Sequence, residues 1–210
     1  MEILSAEIET YLNRWVPDRD EILEEMEHLA EVRHFPIVGP VVGRLLAQLT
    51  MLTGASQILE VGSGFGYSAY WMARALPEGG RVIAIERAPE NLRLAREFFR
   101  KGGLTNRVEF RLGDALQVVQ ELPGPFDLIF VDVDKEQYPA SLSLTLPRLK
   151  RGGLLLTDNL LWGGRVLVQA PREASTRGIQ EYTRLLYATP GLYTTILPLR
   201  DGVAVSLKLT

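Results

Sequence analysis

Two groups of polar side chains that could do chemistry follow apolar runs of the sequence. Asp132 directly follows the run Phe126–Val131, with Lys135 three residues later, and Asp158 and Asn159 directly follow the next apolar run. Burying acids and a lysine at the end of a strand costs free energy unless these groups bind a partner or take part in chemistry. Three oxygen ligands of this kind suit Mg²⁺, Mn²⁺ or Ca²⁺. Asp158 and Asn159 also favour a simple turn, and Asp132 makes a metal site the preferred interpretation.

A glycine-rich stretch forms a second candidate site. Gly62, Gly64 and Gly66 follow the apolar run Ile58–Val61 and precede a helical pattern. Glycine permits positive φ and close approach of a ligand to the backbone. The G-x-G-x-G spacing differs from the G-x-G-x-x-G of a pyrophosphate site, which would need a glycine at Tyr67. A tight turn without a ligand is the alternative for this stretch taken alone.

Two further strand ends carry acids. Glu86 lies twenty residues after Gly66, about where a ribose-binding acid of a nucleotide site is expected, although a helix cap is the alternative. Asp114 follows the next apolar run and either caps a helix or lines an adenine pocket. Because the carboxyl ends of strands in an open α/β sheet face the ligand, all these residues are expected at one edge.

The composition predicts one domain over residues 1–210, with residues 1–53 as an N-terminal helical cap. Of 210 residues, 46% are hydrophobic and 23% charged, and there is no cysteine. Disulfides, thiolate metal sites and cysteine nucleophiles are therefore excluded, and two histidines make a multi-histidine zinc site improbable. No basic and apolar leader or membrane-length stretch is present, so we expect a cytoplasmic protein without a membrane partner.

Strand and helix patterns alternate from Gln57 onwards, which predicts a parallel sheet covered on both faces. The predicted strands are 57–62, 81–86, 107–112, 126–131 and 152–157, and the helices between them are 67–76, 89–101, 114–121 and 137–149. Three helices precede them, at 2–15, 19–33 and 41–52, with a break and cap at Pro17 and Asp18. A helix at 175–189 and a hairpin of 193–197 and 203–209 close the chain.

These motifs together resemble the small cation-dependent O-methyltransferases of the catechol and caffeoyl-CoA type, which use S-adenosylmethionine. The resemblance runs from about Pro36 to the C-terminus, and it rests on Leu59-Glu60-Val61-Gly62 through Gly66-Tyr67-Ser68, Phe126 to Asp132 with Lys135 and Tyr138, Thr157 to Gly163, and Leu197 to Gly202. It implies a Rossmann-like, doubly wound sheet of seven strands. That sheet is mostly parallel with an antiparallel last strand, and it has helices on both faces and extra N-terminal helices.

The resemblance also implies a role for individual residues. It makes Lys135 the catalytic base and gives the metal to Asp132, Asp158 and Asn159. The methionine and ribose parts of the cofactor fall on Gly62, Ser63, Gly64, Ser68 and Glu86, and the adenine on Gly113, Asp114 and Ala115. Val38, Glu60, Arg87 and Asp132 complete the predicted cofactor set. Tyr138 and Trp162 either wall the substrate or pack in the core.

Two acceptors are compatible with the sequence. One is a small catechol-like phenol. The other is 5-hydroxyuridine at the wobble position of tRNA, because three segments are similar to a bacterial subgroup with that substrate: Val16-Pro17-Asp18, His34-Phe35-Pro36-Ile37 and Ala84-Ile85-Glu86-Arg87. Arg14, Arg19, Arg33 and His34 could contact phosphates, whereas the acids around them favour a solvated helix face.

Two other functional classes compete with an active methyltransferase. A nicotinamide dehydrogenase is disfavoured by the glycine spacing. A catalytically inactive cofactor-binding protein is disfavoured by the presence of Lys135 and the full acid set. The expected assembly is a homodimer.

Overall fold

A computed structural model describes residues 3–17 and 19–210. These residues form a seven-stranded sheet with the strands β1 (Gln57–Val61), β2 (Arg81–Glu86), β3 (Val108–Leu112), β4 (Phe126–Val131), β5 (Leu149–Thr157), β6 (Leu192–Leu197) and β7 (Val203–Lys208). Their order across the sheet is β3-β2-β1-β4-β5-β7-β6. The order reverses between β1 and β4, which is where ligands bind in open α/β sheets.

The strands β1 to β5 pair in parallel. Strand β7 lies between β5 and β6 and is antiparallel to both. The predicted Rossmann-like sheet of seven strands with an antiparallel last strand is therefore confirmed. The position of β7 brings the turn between β6 and β7 to the carboxyl end of β5, where Asp158 and Asn159 follow.

Helices cover both faces of the sheet, as predicted. They are α1 (Ala6–Arg14), α2 (Glu21–Arg33), α3 (Gly39–Thr53), α4 (Tyr67–Ala75), α5 (Pro89–Lys101), α6 (Ala115–Glu121), α7 (Tyr138–Thr145) and α8 (Ala174–Ala188). Successive residues of a strand point to opposite faces. Leu128 and Phe130 of β4 therefore pack on the face covered by α2 to α5, and Ile129 and Val131 on the face covered by α6 to α8.

Helix α2 begins two residues later than predicted, and helix α3 begins two residues earlier. Helix α2 begins after Asp20, whose carboxylate accepts a hydrogen bond from Leu23 N at 2.9 Å. The predicted cap at Asp18 lies outside the described residues. Helix α3 begins at Gly39, two residues early, because Pro40 is well tolerated in a first helical turn.

Within the described ranges, no helix is long and apolar enough to cross a membrane.

The boundary between α7 and β5 also differs from the prediction. The helix expected over 137–149 ends at Thr145 and continues as a short 3-10 turn over Leu146–Arg148. Pro147 has no N–H to continue the α-helical ladder, which explains the early end. Strand β5 then begins at Leu149, paired with Phe126, three residues before the predicted start.

Candidate active site

Two adjoining cavities lie at the carboxyl ends of the strands. The first, which we call the glycine-loop cavity, has a volume of about 430 Å³ and is bordered by Gly62, Ser63 and Gly64. The second, which we call the Trp162 cavity, has a volume of about 560 Å³ and is bordered by Asp158, Asn159 and Trp162. Both cavities are bordered by the same four residues, Pro36, Ile37, Asp132 and Lys135.

The glycine loop is packed too closely for side chains at two positions. Gly62 has φ of +90°, and a Cβ atom there would overlap the backbone oxygen of Asp132. Gly64 has φ of +52°, and a Cβ atom there would lie 2.9 Å from the ring of Phe35. Glycine is needed at both sites because the backbone conformation is left-handed and the neighbours are close. The loop therefore contacts both the end of β4 and the connector before α3.

Glu86, at the end of β2, holds this loop in place. Its Oε2 accepts a hydrogen bond from Gly64 N at 2.9 Å. Its Oε1 accepts from Ala88 N at 2.8 Å and from Asn91 Nδ2 at 3.3 Å. The carboxylate thus joins the glycine loop to the start of α5, and it lies on the wall of the glycine-loop cavity.

Most of the predicted cofactor residues come together around the glycine-loop cavity. Those that border it are Val38, Gly62, Ser63, Gly64, Ser68, Glu86, Arg87, Asp114, Ala115 and Asp132. Two predicted residues lie outside its wall. Glu60 is fully buried beneath the loop, and Gly113 N donates to the backbone oxygen of Glu86 at 3.0 Å. The structure therefore gives these two residues a supporting position rather than a direct place in the cavity wall.

Asp114 caps a helix, and its predicted role at the adenine stays a prediction. It caps α6, since its carboxylate accepts a hydrogen bond from Gln117 N at 3.0 Å, and it borders the glycine-loop cavity. A second link at this rim joins Arg87 to Asp134 at 2.8 Å. Both side chains of this ion pair are well exposed, so it contributes little to stability by itself.

Glu60 is an acid in an apolar position. Burial raises the pKa of Glu60 to about 8, and the hydrogen bond from Ser68 opposes this rise. Its Oε1 is the acceptor for Ser68, whereas Oε2 has no hydrogen-bond partner in the part of the chain that the structure describes. The neutral acid is therefore the main form at pH 7, and it can donate a hydrogen bond.

Lys135 lies on the wall between the two cavities. Its Nζ lies 2.7 Å from Oδ1 of Asp132, 3.0 Å from the hydroxyl of Tyr138 and 3.3 Å from the backbone oxygen of Val133. The Tyr138 hydroxyl in turn donates to the backbone oxygen of Asp158 at 2.9 Å. Tyr138 is fully buried, so it belongs to the core, and its hydroxyl contacts and orients the lysine from the core side.

Asp158 is a buried acid with an unused oxygen. The residue is 5% exposed, and among the described residues its Oδ1 has no hydrogen-bond partner. Burial and the neighbouring Asp132 carboxylate raise the pKa of Asp158 to about 7. A buried carboxylate oxygen without a donor is rare in proteins. A hard cation beside it would supply the missing partner and remove the repulsion between the two acids.

Asn159 completes the predicted metal set. It has φ of +62°, a left-handed conformation that asparagine tolerates. It borders the Trp162 cavity together with Asp132 and Asp158. Over residues 3–17 and 19–210 there is no group of three or more His, Cys, Asp or Glu side chains placed to hold a metal. The predicted set has two acids and one amide, and its oxygen donors fit a hard cation.

The remaining wall of the Trp162 cavity has an apolar part, formed by Ile3, Leu4, Ile37 and the Trp162 ring, and a charged part, formed by Glu9, Arg200 and Asp201. Arg165 stacks on that ring, with its guanidinium carbon 4.1 Å from the ring centroid. Trp162 is therefore a wall residue, in contrast to Tyr138.

Sequence reasoning missed some residues of this site. Arg200 donates to Glu9 Oε1 at 3.1 Å and to the backbone oxygen of Ile37, so it ties three segments of the cavity wall together. Asp201 contacts Asn159. Arg200 and Asp201 belong to the turn Arg200-Asp201-Gly202, which the sequence indicated only as a hairpin turn. Phe35 and Asn91 were also not assigned to the site; Phe35 belongs to the segment His34-Phe35-Pro36-Ile37 quoted for the acceptor, and no sequence pattern singled out Asn91.

The sheet, the glycine loop at its first strand and the paired cavities define a Rossmann-like cofactor-dependent enzyme. The family described as O-methyltransferase matches residues 16–209. The catechol O-methyltransferase of Niastella koreensis is 36% identical over 198 residues, which are 90% of each chain. Caffeoyl-CoA O-methyltransferase 1 of Eucalyptus globulus is 33% identical over 181 residues, covering 80% of this chain and 73% of that protein.

Solved structures agree with these relatives. The O-methyltransferase from Bacillus cereus in complex with SAH superposes with a TM-score of 0.89 at 30% identity, covering 96% of this chain and 97% of that one. TomG from Streptomyces achromogenes, in complex with SAM, superposes with a TM-score of 0.90 at 27% identity, covering 97% and 96%. The chain belongs to the O-methyltransferase family. It is an S-adenosylmethionine-dependent O-methyltransferase of the catechol and caffeoyl-CoA type, and the predicted resemblance is confirmed.

Proposed function

We propose that this enzyme methylates a hydroxyl of a small catechol-like phenol and requires a divalent cation to do so. The methyl donor would bind in the glycine-loop cavity and the acceptor in the Trp162 cavity. The observation that carries the proposal is that both cavities are bordered by Asp132 and Lys135. Two ligands that meet at this shared wall gain the large rate advantage of a fixed orientation.

The residues of the site have separate tasks in this proposal. S-adenosylmethionine, when bound, supplies an electrophilic methyl group on a positively charged sulfur. The glycine-loop backbone and Glu86 orient the donor. The acceptor oxygen would form the new C–O bond as the C–S bond breaks, and Lys135, in its neutral form, would accept the proton of the acceptor hydroxyl.

The cation would be held by Asp132, Asp158 and Asn159, and Mg²⁺, Mn²⁺ and Ca²⁺ all prefer such ligands. When bound, it would act as a Lewis acid that lowers the pKa of the acceptor hydroxyl and orients two neighbouring oxygens. The buried Oδ1 of Asp158, which lacks a donor among the described residues, supports this part of the proposal.

A small phenol is favoured by the apolar wall of the Trp162 cavity, where Ile37 and the Trp162 ring offer flat contact to an aromatic acceptor. The alternative acceptor is tRNA with 5-hydroxyuridine. Two of the arginines expected at phosphates are engaged with carboxylates: Arg19 lies 3.0 Å from Glu27, and Arg33 lies 3.7 Å from Glu90. We therefore rank the phenol first.

Methyl transfer from labelled S-adenosylmethionine separates these possibilities. The protein is incubated with a catechol panel or with tRNA containing 5-hydroxyuridine, with Mg²⁺ or in excess chelator. We expect transfer to a catechol with Mg²⁺, no transfer in chelator, and no transfer by Asp158→Ala, which should still bind S-adenosylhomocysteine. Undiminished transfer after chelation would refute the cation requirement, and transfer to tRNA alone would refute the phenol.

We further propose a homodimer in the cytoplasm. No residue of α1, over Ala6–Arg14, is buried. Tyr11 and Trp15 are 56% and 67% exposed, with ring centroids 6.1 Å apart. An exposed apolar patch of this kind is typical of a protein interface. Light scattering should give the mass of two chains for the parent and of one chain for Trp15→Glu, and a parent that scatters as one chain would refute the dimer.

A further inference from the structure

Asp201 holds two points of the loop that follows β5. Its Oδ2 accepts a hydrogen bond from Asn159 Nδ2 at 3.3 Å, and its Oδ1 accepts from Gly163 N at 2.5 Å. Asp201 lies in the turn between β6 and β7, and Asn159 belongs to the predicted metal set. The last hairpin of the chain is thus linked by a side chain to the end of β5.

The backbone strengthens this link. Leu160 N donates to the oxygen of Gly202 at 2.9 Å, and Leu161 N donates to the oxygen of Asp201 at 2.8 Å. Gly202 has φ of +88°, and a Cβ atom there would lie 2.9 Å from Leu161 N. The turn and the loop are therefore in close contact, and the Asp201 carboxylate has a defined position relative to Asn159.

The chemistry of the two side chains decides which way the amide of Asn159 faces. A carboxylate only accepts hydrogen bonds, so the amide group that faces Asp201 is the NH₂. The amide oxygen is then on the other branch of the planar group, away from Asp201. Of the two ends of an amide, only the oxygen binds a hard cation.

We propose that Asp201 is a positioning residue for the divalent cation, because it holds the nitrogen of Asn159 toward the turn and leaves the oxygen for the site of Asp132 and Asp158. All four side chains border the Trp162 cavity. The inference rests on the proposed cation requirement. Partners of this kind, one step removed from the ion, typically change metal affinity by about 10–100-fold.

Two substitutions at Asp201 are expected to rank in one order by Mn²⁺ affinity and in the reverse order by stability. In Asp201→Asn, the new side chain keeps one oxygen for Gly163 N and turns its own NH₂ toward Asn159. The Asn159 amide then turns its oxygen to that NH₂ and presents its nitrogen to the cation. In Asp201→Ala, the Asn159 amide is free to adopt either orientation. We therefore expect Asp201→Asn to lose about 10–100-fold in Mn²⁺ affinity and Asp201→Ala to lose less.

The measurement is calorimetric titration of the full chain with Mn²⁺ alone, together with thermal denaturation in chelator. Asp201→Ala removes both contacts and should have the lower melting temperature, so the order of stability is the reverse of the order of affinity. If Asp201 were itself a ligand, Asp201→Asn would retain an oxygen and bind Mn²⁺ more tightly than Asp201→Ala. That order of affinities would overturn the proposal.

A double substitution supplies a rescue. In Asn159→Asp with Asp201→Asn, the donor and the acceptor exchange places and the total charge is unchanged. The new carboxylate at 159 accepts from the new amide and keeps an oxygen for the cation, so most of the affinity should return. Failure of this rescue, with S-adenosylhomocysteine binding intact, would also overturn the proposal.

Asp127→Asn is the matched control. Asp127 lies in β4 near its amino end and accepts hydrogen bonds from Ser56 N at 2.9 Å and Gln57 N at 2.8 Å. Its substitution should lower the melting temperature and leave Mn²⁺ affinity at the parental value. A parent that binds no Mn²⁺ would refute the cation requirement itself. If the parent binds Mn²⁺ and Asp201→Asn binds it with the same affinity, only the role of Asp201 is refuted.

Discussion

Nζ of Lys135 donates a hydrogen bond to Oδ1 of Asp132 over 2.7 Å, and both residues lie in the segment that follows β4. The side chain of Lys135 is only 11% exposed, so this ion pair is largely shielded from water. The predicted base and a predicted metal ligand therefore share one short segment. The Tyr138 hydroxyl, which contacts both Lys135 Nζ and the backbone oxygen of Asp158, helps to fix the position of the lysine.

Lys135→Met tests the proposed base. We expect the rate of methyl transfer to fall by about 10²–10⁴, the usual range for a positioned general base, with S-adenosylhomocysteine and Mn²⁺ binding retained. Initial rates over a range of pH provide a second readout, since bulk hydroxide should partly restore the variant at high pH.

Lys150→Met is the control for this substitution. Lys150 is an ion-pair lysine as well, 2.5 Å from Asp127, and it lies in β5 near its amino end, away from both cavities. Its substitution should leave the rate unchanged. A parental rate and pH profile in Lys135→Met would mean that Lys135 is only an electrostatic neighbour of the reaction.

Glu86→Ala should weaken binding of S-adenosylhomocysteine in excess chelator by at least about tenfold. Hydrogen bonds to a charged acceptor contribute about 1.5–3 kcal/mol each, and about 1.4 kcal/mol corresponds to tenfold in affinity. Part of the loss will come from the glycine loop, because Gly64 N also depends on this carboxylate.

Calorimetry measures this effect, with Glu90→Ala as the comparison. Glu90 lies on the exposed side of α5 and pairs with Arg93 at 2.9 Å. The Glu90→Ala variant should bind the ligand like the parent. Equal affinities of Glu86→Ala and the parent would remove Glu86 from the cofactor site.

Gly62→Ala should destabilise the fold and abolish S-adenosylhomocysteine binding together. A left-handed conformation costs a non-glycine residue about 1–2 kcal/mol, and the added Cβ also requires the backbone at Asp132 to move. Gly79→Ala isolates the first effect. Gly79 has φ of +75°, and among the described residues no atom lies within 4 Å of the point that a Cβ atom would occupy.

Urea denaturation should therefore give a larger loss of unfolding free energy for Gly62→Ala than for Gly79→Ala. Similar losses in the two variants would mean that the contact between Gly62 and Asp132 is easily relaxed.

Glu60 should make stability fall as pH rises. Its pKa is about 8 in the folded protein, against an ordinary value of 4.5. The folded protein therefore keeps a proton that the unfolded chain releases. The contribution of this proton to the unfolding free energy is lost progressively between about pH 4.5 and about pH 8. Asp158, whose pKa is also raised, acts in the same direction up to about pH 7.

Glu60→Gln removes the contribution of Glu60 and keeps a polar side chain for Ser68. Urea denaturation in chelator should give a flatter dependence of the unfolding free energy on pH for this variant than for the parent. Parallel curves would contradict the assignment of a raised pKa to Glu60.

The sequence predicted the part of the site that depends on strand ends. Because β4 and β5 are adjacent parallel strands, Asp132 and Asp158 had to emerge side by side. The roles of Asp132, Asp158, Asn159 and Lys135 stay predictions until they are tested. The predicted single domain and cytoplasmic location also stay predictions.

Other parts depend on contacts between distant segments, which periodicity does not encode. The neighbours of Asp201 follow from the insertion of β7 between β5 and β6, and no local pattern indicates where a hairpin joins a sheet. Glu60 could have been placed beneath the loop, since it alternates with Leu59 and Val61 along β1. Its partner Ser68, from the first turn of α4, could not.

The connector before α3 gives the two cavities a common boundary at Pro36 and Ile37. A ligand that shifts this boundary from one side alters the space available on the other side. Thermodynamic linkage makes such an influence mutual: a factor by which the donor tightens acceptor binding is the same factor by which the acceptor tightens donor binding. If the donor and the acceptor occupy the two cavities as proposed, the two products face each other across this boundary after methyl transfer, and their departures are expected to be coupled.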